Sequence, residues 1–221
     1  MNDKIPDRET AHRPALCVFC GSSHGKDPAY TTAARRFGAL MAQNGFDLVF
    51  GGGGVGLMGE IALAVRDGGA RVTGIIPDFL RHVEPPMKVA NEMIVTRDMN
   101  ERKARMFAAA DGFVILPGGL GTLDEVSEAL TYAQLGIHAK PIVLINVKGF
   151  FDPFLDLVEH MVANDFAAAG VMKLMRAALT PEEAIALLRE FLQPASGAGD
   201  ARARQEPAPP TRSQNSLREP R

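Results

Sequence analysis

Six short apolar runs, each followed by a segment carrying helix signals, constrain this chain more than any other feature. They are 15–20 (ALCVFC), 46–50 (FDLVF), 71–76 (RVTGII), a weaker 89–96, 112–116 (GFVIL) and 141–146 (PIVLIN). Strands that read as continuous rather than alternating apolar runs are covered by helices on both faces, as in parallel sheets. Asp27-Pro28 supplies an N-cap and first-turn proline for a helix to about Asn44, with Gly45 as its stop. A second helix ends at Gly68-Gly69, Asp98 caps a third through Ala110, and a fourth runs to about Leu135. Helices near 152–164 and 181–192 complete the set. Right-handed crossovers then give an α/β fold: one domain with a doubly wound, mostly parallel sheet and helices on both faces. Such sheets bind ligands beyond the carboxyl ends of their strands. Three glycine or serine segments fall at such ends: Gly21-Ser22-Ser23, Gly51–Gly59 and Gly118–Thr122.

Charge and composition remove several classes of function. Among 221 residues, 24 lysines and arginines face 26 acids, a net charge of −2, so no global field favours nucleic acid or an anionic membrane. No apolar run approaches the ~20 residues that span a bilayer, and the polar N-terminus lacks a signal-peptide core. A cytoplasmic protein is expected. Residues 1–14 and 194–221 read as tails around a body at 15–193. The second tail holds five prolines and one large aliphatic residue, Leu217, too little apolar surface to offset its ordering entropy. The two cysteines, Cys17 and Cys20, would point to opposite faces of one strand, which suits buried thiols better than a redox or metal pair. The five histidines show no metal-ligand spacing; His24, beside the first glycine turn, is the one worth watching.

Two glycine segments carry competing chemistry. Gly54-Val55-Gly56-Leu57-Met58-Gly59 matches the dinucleotide fingerprint, with Asp78 placed to bind a ribose, so an NAD(P)-binding oxidoreductase is one reading. The motif follows the second strand instead of the first, and a tight packing turn is the plainer reading. Pro117-Gly118-Gly119-Leu120-Gly121-Thr122-Leu123-Asp124-Glu125 is more specific. Its glycines let main chain approach a ligand, and the helix that follows offers free N–H groups and a positive dipole end for a phosphate. Glu125 does not belong in a phosphate site, since it would repel the anion. Thr122-x-x-Glu125 also fits a capping box, so spacing alone leaves capping and catalysis open. A carboxylate that reached past the phosphate could meet an anomeric carbon, as glycosidic cleavage requires. Arg102, Lys103 and Arg105 crowd the start of the preceding helix, where the dipole disfavours cations. A bound anion would offset that cost, and a solvated face is the bland alternative.

Between Leu16 and Leu192 these segments together resemble the Lonely Guy family of cytokinin riboside 5′-monophosphate phosphoribohydrolases, formerly labelled lysine decarboxylases. The match is carried by 17–23 (CVFCGSS), 55–59 (VGLMG), 67–69 (DGG), Asp98-Met99, 101–103 (ERK), 117–125 (PGGLGTLDE) and 131–138 (TYAQLGIH). The resemblance implies a Rossmann-like fold, a homodimer or higher homo-oligomer, and a hydrolase. Its reaction would split adenosine-type 5′-monophosphates into free base or cytokinin and ribose 5-phosphate, an AMP nucleosidase activity. Arg102 and Glu125 match the catalytic pair. Glu84, Lys103, Gly118, Gly119, Leu120, Gly121, Thr122, Leu123, Asp124 and Thr131 match substrate-binding positions, and Ser22, Gly52, Gly53 and Gly54 match the nucleotide loop. No metal or redox cofactor is called for. A non-catalytic nucleotide or cofactor carrier on the same fold is the alternative.

Overall fold

Parallel strands need a long crossover between them, and the helix signals supply one after nearly every apolar run. A computed structural model of the protein describes residues 13–82, 87–88 and 90–192. Its strands are β1 (Ala15–Phe19), β2 (Asp47–Phe50), β3 (Val72–Pro77), β4 (Glu92–Thr96), β5 (Gly112–Ile115), β6 (Ile142–Ile145) and β7 (Arg176–Ala178). The helices are α1 (Pro28–Gln43), α2 (Gly56–Asp67), α3 (Met99–Ala109), α4 (Leu120–Gln134), α5 (Asp152–Ala163) and α6 (Pro181–Leu192). The strands form one sheet in the order β4-β3-β2-β1-β5-β6-β7, with every neighbouring pair parallel. The doubly wound α/β reading therefore holds. Six strands were legible as apolar runs; β7, three residues beginning with an arginine, was not. Of the expected tails, only Arg13 and Pro14 lie within the described residues, and Arg13 pairs with Asp47 at 3.1 Å.

Local chemistry fixes where the helices start. Asp27 accepts from the amide of Ala29 at 2.9 Å ahead of Pro28, opening α1. Asp98 accepts from the amide of Glu101 at 2.8 Å, and Glu101 reaches back to the amide of Arg97 at 3.0 Å. Alternate strand residues then enter two apolar layers. Leu16, Val18 and Cys20 pack with Phe37, Met41, Ile61 and Leu188 against α1, α2 and α6. Cys17, Phe19, Phe113 and Ile115 pack with Met106, Val126, Leu130 and Val158 against α3, α4 and α5. Cys17 and Cys20 thus face different layers, buried and unbonded to each other.

The sheet reverses its winding between β1 and β5, where Phe19 lies beside Ile115. Helices leave this point toward opposite faces, which opens a crevice at the carboxyl ends of the two strands. The glycine fingerprint of α2 is spent on packing at its edge. The amides of Leu57 and Met58 donate to the carbonyl of Gly21 at 3.1 and 3.3 Å. Gly56 has φ +61°, and a Cβ on it would fall 2.3 Å from the carbonyl carbon of Ser22. Protein main chain therefore occupies the helix N-terminus that a dinucleotide pyrophosphate would need. Gly56→Ala should cost about 2 kcal/mol or more, from the positive φ and the backbone clash together. A urea-unfolding midpoint no lower than that of the parent chain would contradict this packing role.

Candidate active site

The crevice holds a cavity of about 250 Å³ whose walls come from β1, α3 and the start of α4. Pro117-Gly118-Gly119 turns the chain from β5 into α4. The N-cap of that helix is Gly119, which has no side chain with which to cap it. Leu123 N reaches Gly119 O at 3.0 Å, so the helix ladder begins there. The amides of Leu120, Gly121 and Thr122 precede any acceptor within the helix, and all three residues line the cavity. Thr122 lies inside the first turn, packed so closely on Gly118 that a Cβ there would come 2.1 Å from its Oγ1. The capping-box alternative for Thr122 and Glu125 does not hold. Glu125 is buried against the cavity, and among the described residues its carboxylate has no hydrogen bond or ion pair.

Arg102 reaches the same cavity from α3 and is also buried. Its Nε donates to the carbonyl of Ile75 at 3.1 Å and one terminal nitrogen to that of Gly51 at 3.0 Å. The other terminal nitrogen lies 3.7 Å from the sulfur of Met99. Carbonyl groups at the ends of β2 and β3 thus aim the guanidinium without neutralising it, and no carboxylate lies within ion-pair distance among the described residues. A Cβ on Gly51 would sit 2.1 Å from the guanidinium, which explains glycine there. A buried cation held only by dipoles is costly unless something electron-rich arrives to meet it. The neighbouring cations are already satisfied: Arg105 pairs with Glu101 at 2.8 Å, and Lys103 with Asp124 at 3.0 Å and Glu128 at 2.9 Å.

Burial pushes the Glu125 carboxyl up to about 7. Arg102 and Lys103 pull it down, while Asp124 and Glu128 add to the rise. A carboxyl poised near neutrality can exchange a proton with water at ordinary pH. Burial also raises the Cys17 and Cys20 thiols, which stay neutral beside it.

The structure gathers half of the residues singled out from sequence. Ser22, Arg102, Gly119, Leu120, Gly121, Thr122, Asp124 and Glu125 line the cavity. Gly118 and Leu123 face a neighbouring apolar groove, and Lys103 faces a separate cavity between α3 and α4. Gly52, Gly53 and Gly54 do not line this cavity; Gly52 accepts from the amide of Met87 at 2.9 Å, in a packing role. Thr131 is exposed further along α4, bonded to its own helix at Ser127 O. Glu84 lies outside the described residues. The remaining walls come from Val18, Phe19, Cys20 and Met99, which sequence reasoning did not assign to the site, and from Gly21, Gly51 and Met58, which lie in strand-end segments it singled out without naming them as site residues. Met99 follows the Asp98 cap, so a helix-start argument could have found it.

Residues 58–188 match the family described as "Possible lysine decarboxylase". The chain is 44% identical over 177 residues to the cytokinin riboside 5′-monophosphate phosphoribohydrolase LOG of Oryza sativa subsp. japonica, covering 80% of this chain and 73% of that protein. It is 42% identical over 176 residues to LOG3 of Arabidopsis thaliana, which bears the same enzyme name, covering 80% and 82%. Among solved structures it superposes on the molybdenum cofactor binding protein of Rippkaea orientalis with a TM-score of 0.63 at 24% identity, covering 82% and 98%. The Moco carrier protein of Chlamydomonas reinhardtii gives 0.60 at 20% identity, covering 81% and 98%. At those identities the two structures share the fold alone.

The Glu125 environment has a consequence for stability. A carboxyl raised from 4.5 to about 7 in the folded chain binds more protons folded than unfolded between those values. Its contribution to stability is therefore present below 4.5 and lost as pH rises through 7, a change on the order of 3 kcal/mol. Glu125→Gln, which never ionises, should melt higher than the parent chain at pH 8 and similarly at pH 4.5. Calorimetry showing the parent more stable at pH 8 would overturn this account of the carboxyl.

Proposed function

The chain belongs to the family of the cytokinin riboside 5′-monophosphate phosphoribohydrolases, and from this membership we propose that it hydrolyses the N-glycosidic bond of adenosine 5′-monophosphates, plain or N6-modified. The products are the free base, a cytokinin where the base is so modified, and ribose 5-phosphate. The observation that carries the assignment to particular residues is the buried acid and base Glu125 and Arg102, each without an ion-pair partner among the described residues, facing one cavity at a bare helix N-terminus.

In this reading the phosphate sits on the amides of Gly119 to Thr122, where the dipole of α4 favours an anion. That remote binding energy holds C1′ against Glu125. As the bond from C1′ to the base breaks, its electron pair leaves with the base and positive charge grows on the sugar. The Glu125 carboxylate stabilises that charge and takes a proton from the attacking water, whose oxygen bonds to C1′. The base takes up a proton as it departs. Arg102 stabilises the negative charge developing on the base. Ser22 and Asp124 line the approach.

A homodimer belongs to the same reading. Leu120, Leu123, Phe150 and Leu157 are exposed apolar side chains around a mostly apolar groove of about 460 Å³ beside the start of α4, the kind of surface that a partner copy covers. A cytoplasmic setting follows from the substrate, which its charge confines to the compartment where it is made; no helix among the described residues is long and apolar enough to cross a membrane.

Incubation with AMP and with N6-prenylated AMP should release base and ribose 5-phosphate, read by chromatography. Nucleotide bound without release would replace hydrolysis with a carrier role. Glu125→Gln and Arg102→Ala should each lower kcat/KM by at least about 100-fold; near-parental turnover in either would remove its assigned role. Because the ionised carboxyl is the working form, kcat/KM should rise with pH and level off near 7. A flat profile between pH 5 and 8 would contradict it. Leu157→Glu should shift sedimentation toward the single chain, and an unchanged profile would place the interface elsewhere.

A further inference from the structure

Arg102 and Glu125 do not touch, yet hydrolysis needs them at a fixed spacing, so something else must hold α3 and α4 in phase. The described contacts put that hold one residue away from each. Lys103, next to Arg102, extends its Nζ to two carboxylates one turn apart on α4: Asp124 Oδ2 at 3.0 Å, beside Glu125, and Glu128 Oε2 at 2.9 Å. The contact with Asp124 is a hydrogen bond, whereas that with Glu128 is one of charge more than of aligned donor and lone pair. A turn further on, the Tyr132 hydroxyl donates to Glu128 Oε1 at 2.8 Å. Its ring meets Phe107 of α3 edge-on, with centroids 5.3 Å apart.

The two carboxylates differ in their surroundings. Asp124 is 57% exposed at the cavity rim, where its pair with Lys103 is weak and open to competition from a ligand hydroxyl. Glu128 is 20% exposed and Lys103 17%, so their attraction is less screened, and Tyr132 fixes the second oxygen of Glu128. When substrate engages Asp124, Glu128 is the partner that stays. We propose that Glu128, aligned by Tyr132, is a positioning residue for the hydrolytic site: it keeps Lys103 docked on α4 and so fixes the spacing of Arg102 and Glu125. The inference rests on the hydrolase reading. It gives Lys103 a holding role that is independent of any contact with substrate.

Removing the charge of Glu128 also changes the field at Glu125. The groups facing that carboxyl are Arg102 and Lys103 from α3, Asp124 and Glu128 from α4, and the neutral Cys17 and Cys20 thiols from β1. Without Glu128 the balance becomes more positive, so Glu125 ionises at lower pH. Simple loosening of two helices would not have that effect.

The test measures AMP hydrolysis by the full chain against pH for the parent, Glu128→Gln and Tyr132→Phe. For Glu128→Gln, kcat should fall about 10- to 100-fold with KM changed less than about threefold, as expected of misplaced rather than missing groups. Its acid limb should move to lower pH. Tyr132→Phe leaves every charge in place, so kcat should fall while the limb stays; this variant carries the test if Glu128→Gln fails to fold. Parental kcat in both variants would overturn the assignment, as would a rise in KM with kcat intact, which would make Glu128 a binding contact. A parent chain that releases no base would overturn the hydrolase reading itself, and this inference with it.

Discussion

Three segments of main chain meet at Gly21 with no side chain between them. Its amide donates to Pro117 O at 3.0 Å, which ties the end of β1 to the turn after β5. Its carbonyl receives the first amides of α2. A Cβ on Gly21 would lie 3.3 Å from the Cα of Gly118, and one on Gly118 would lie 2.9 Å from the amide of Gly21. The starts of α2 and α4 are therefore positioned against each other through bare backbone, across the point where the sheet reverses its winding. The cavity is the space left beside that junction. Its floor is set by strand ends, and its sides by α3 and the start of α4.

Much of this architecture was legible in the sequence because parallel strands covered on both faces leave long apolar runs, and helix starts leave Asp-Pro or Asp-x-x-Glu marks. What escaped was short or held by distant atoms. Strand β7 has only Arg176, Ala177 and Ala178, too few for any periodicity, and it exists because β6 offers an edge to pair with. At the site, the string from Pro117 to Glu125 was readable because an anion cradle needs glycines and a helix in that order. The capping role open to Thr122 and Glu125 was not resolvable by spacing, because it depends on whether the helix starts at Gly119 or three residues later. The dinucleotide reading of Gly54, Gly56 and Gly59 was equally undecidable. The pattern says that something must approach the helix start closely, and the fold shows that the visitor is the chain itself, at Ser22 and Ser23.

The electrostatics of the cavity follow from what is withheld as much as from what is provided. Arg97, Arg105 and Lys103 each find a carboxylate. Arg102, in the same short stretch of chain, finds carbonyl oxygens and a methionine sulfur but no carboxylate, because Ile75 of β3 and Gly51 after β2 are what lies beneath its face of α3. Glu125 on the facing helix likewise goes unpaired. A cation and an ionisable carboxyl are thus kept in one small volume without an ion pair between them, a state that only a packed scaffold can hold.

Main-chain amides have no proton to gain or lose across the ordinary range of acidity. A cradle of them at the start of α4 would not itself titrate, so any change in its hold on a phosphate across mild acidity would come from the ligand, whose second ionisation lies at about 6. In the proposed reading one end of the cavity therefore follows the charge of its ligand, and the other switches on with a single carboxyl.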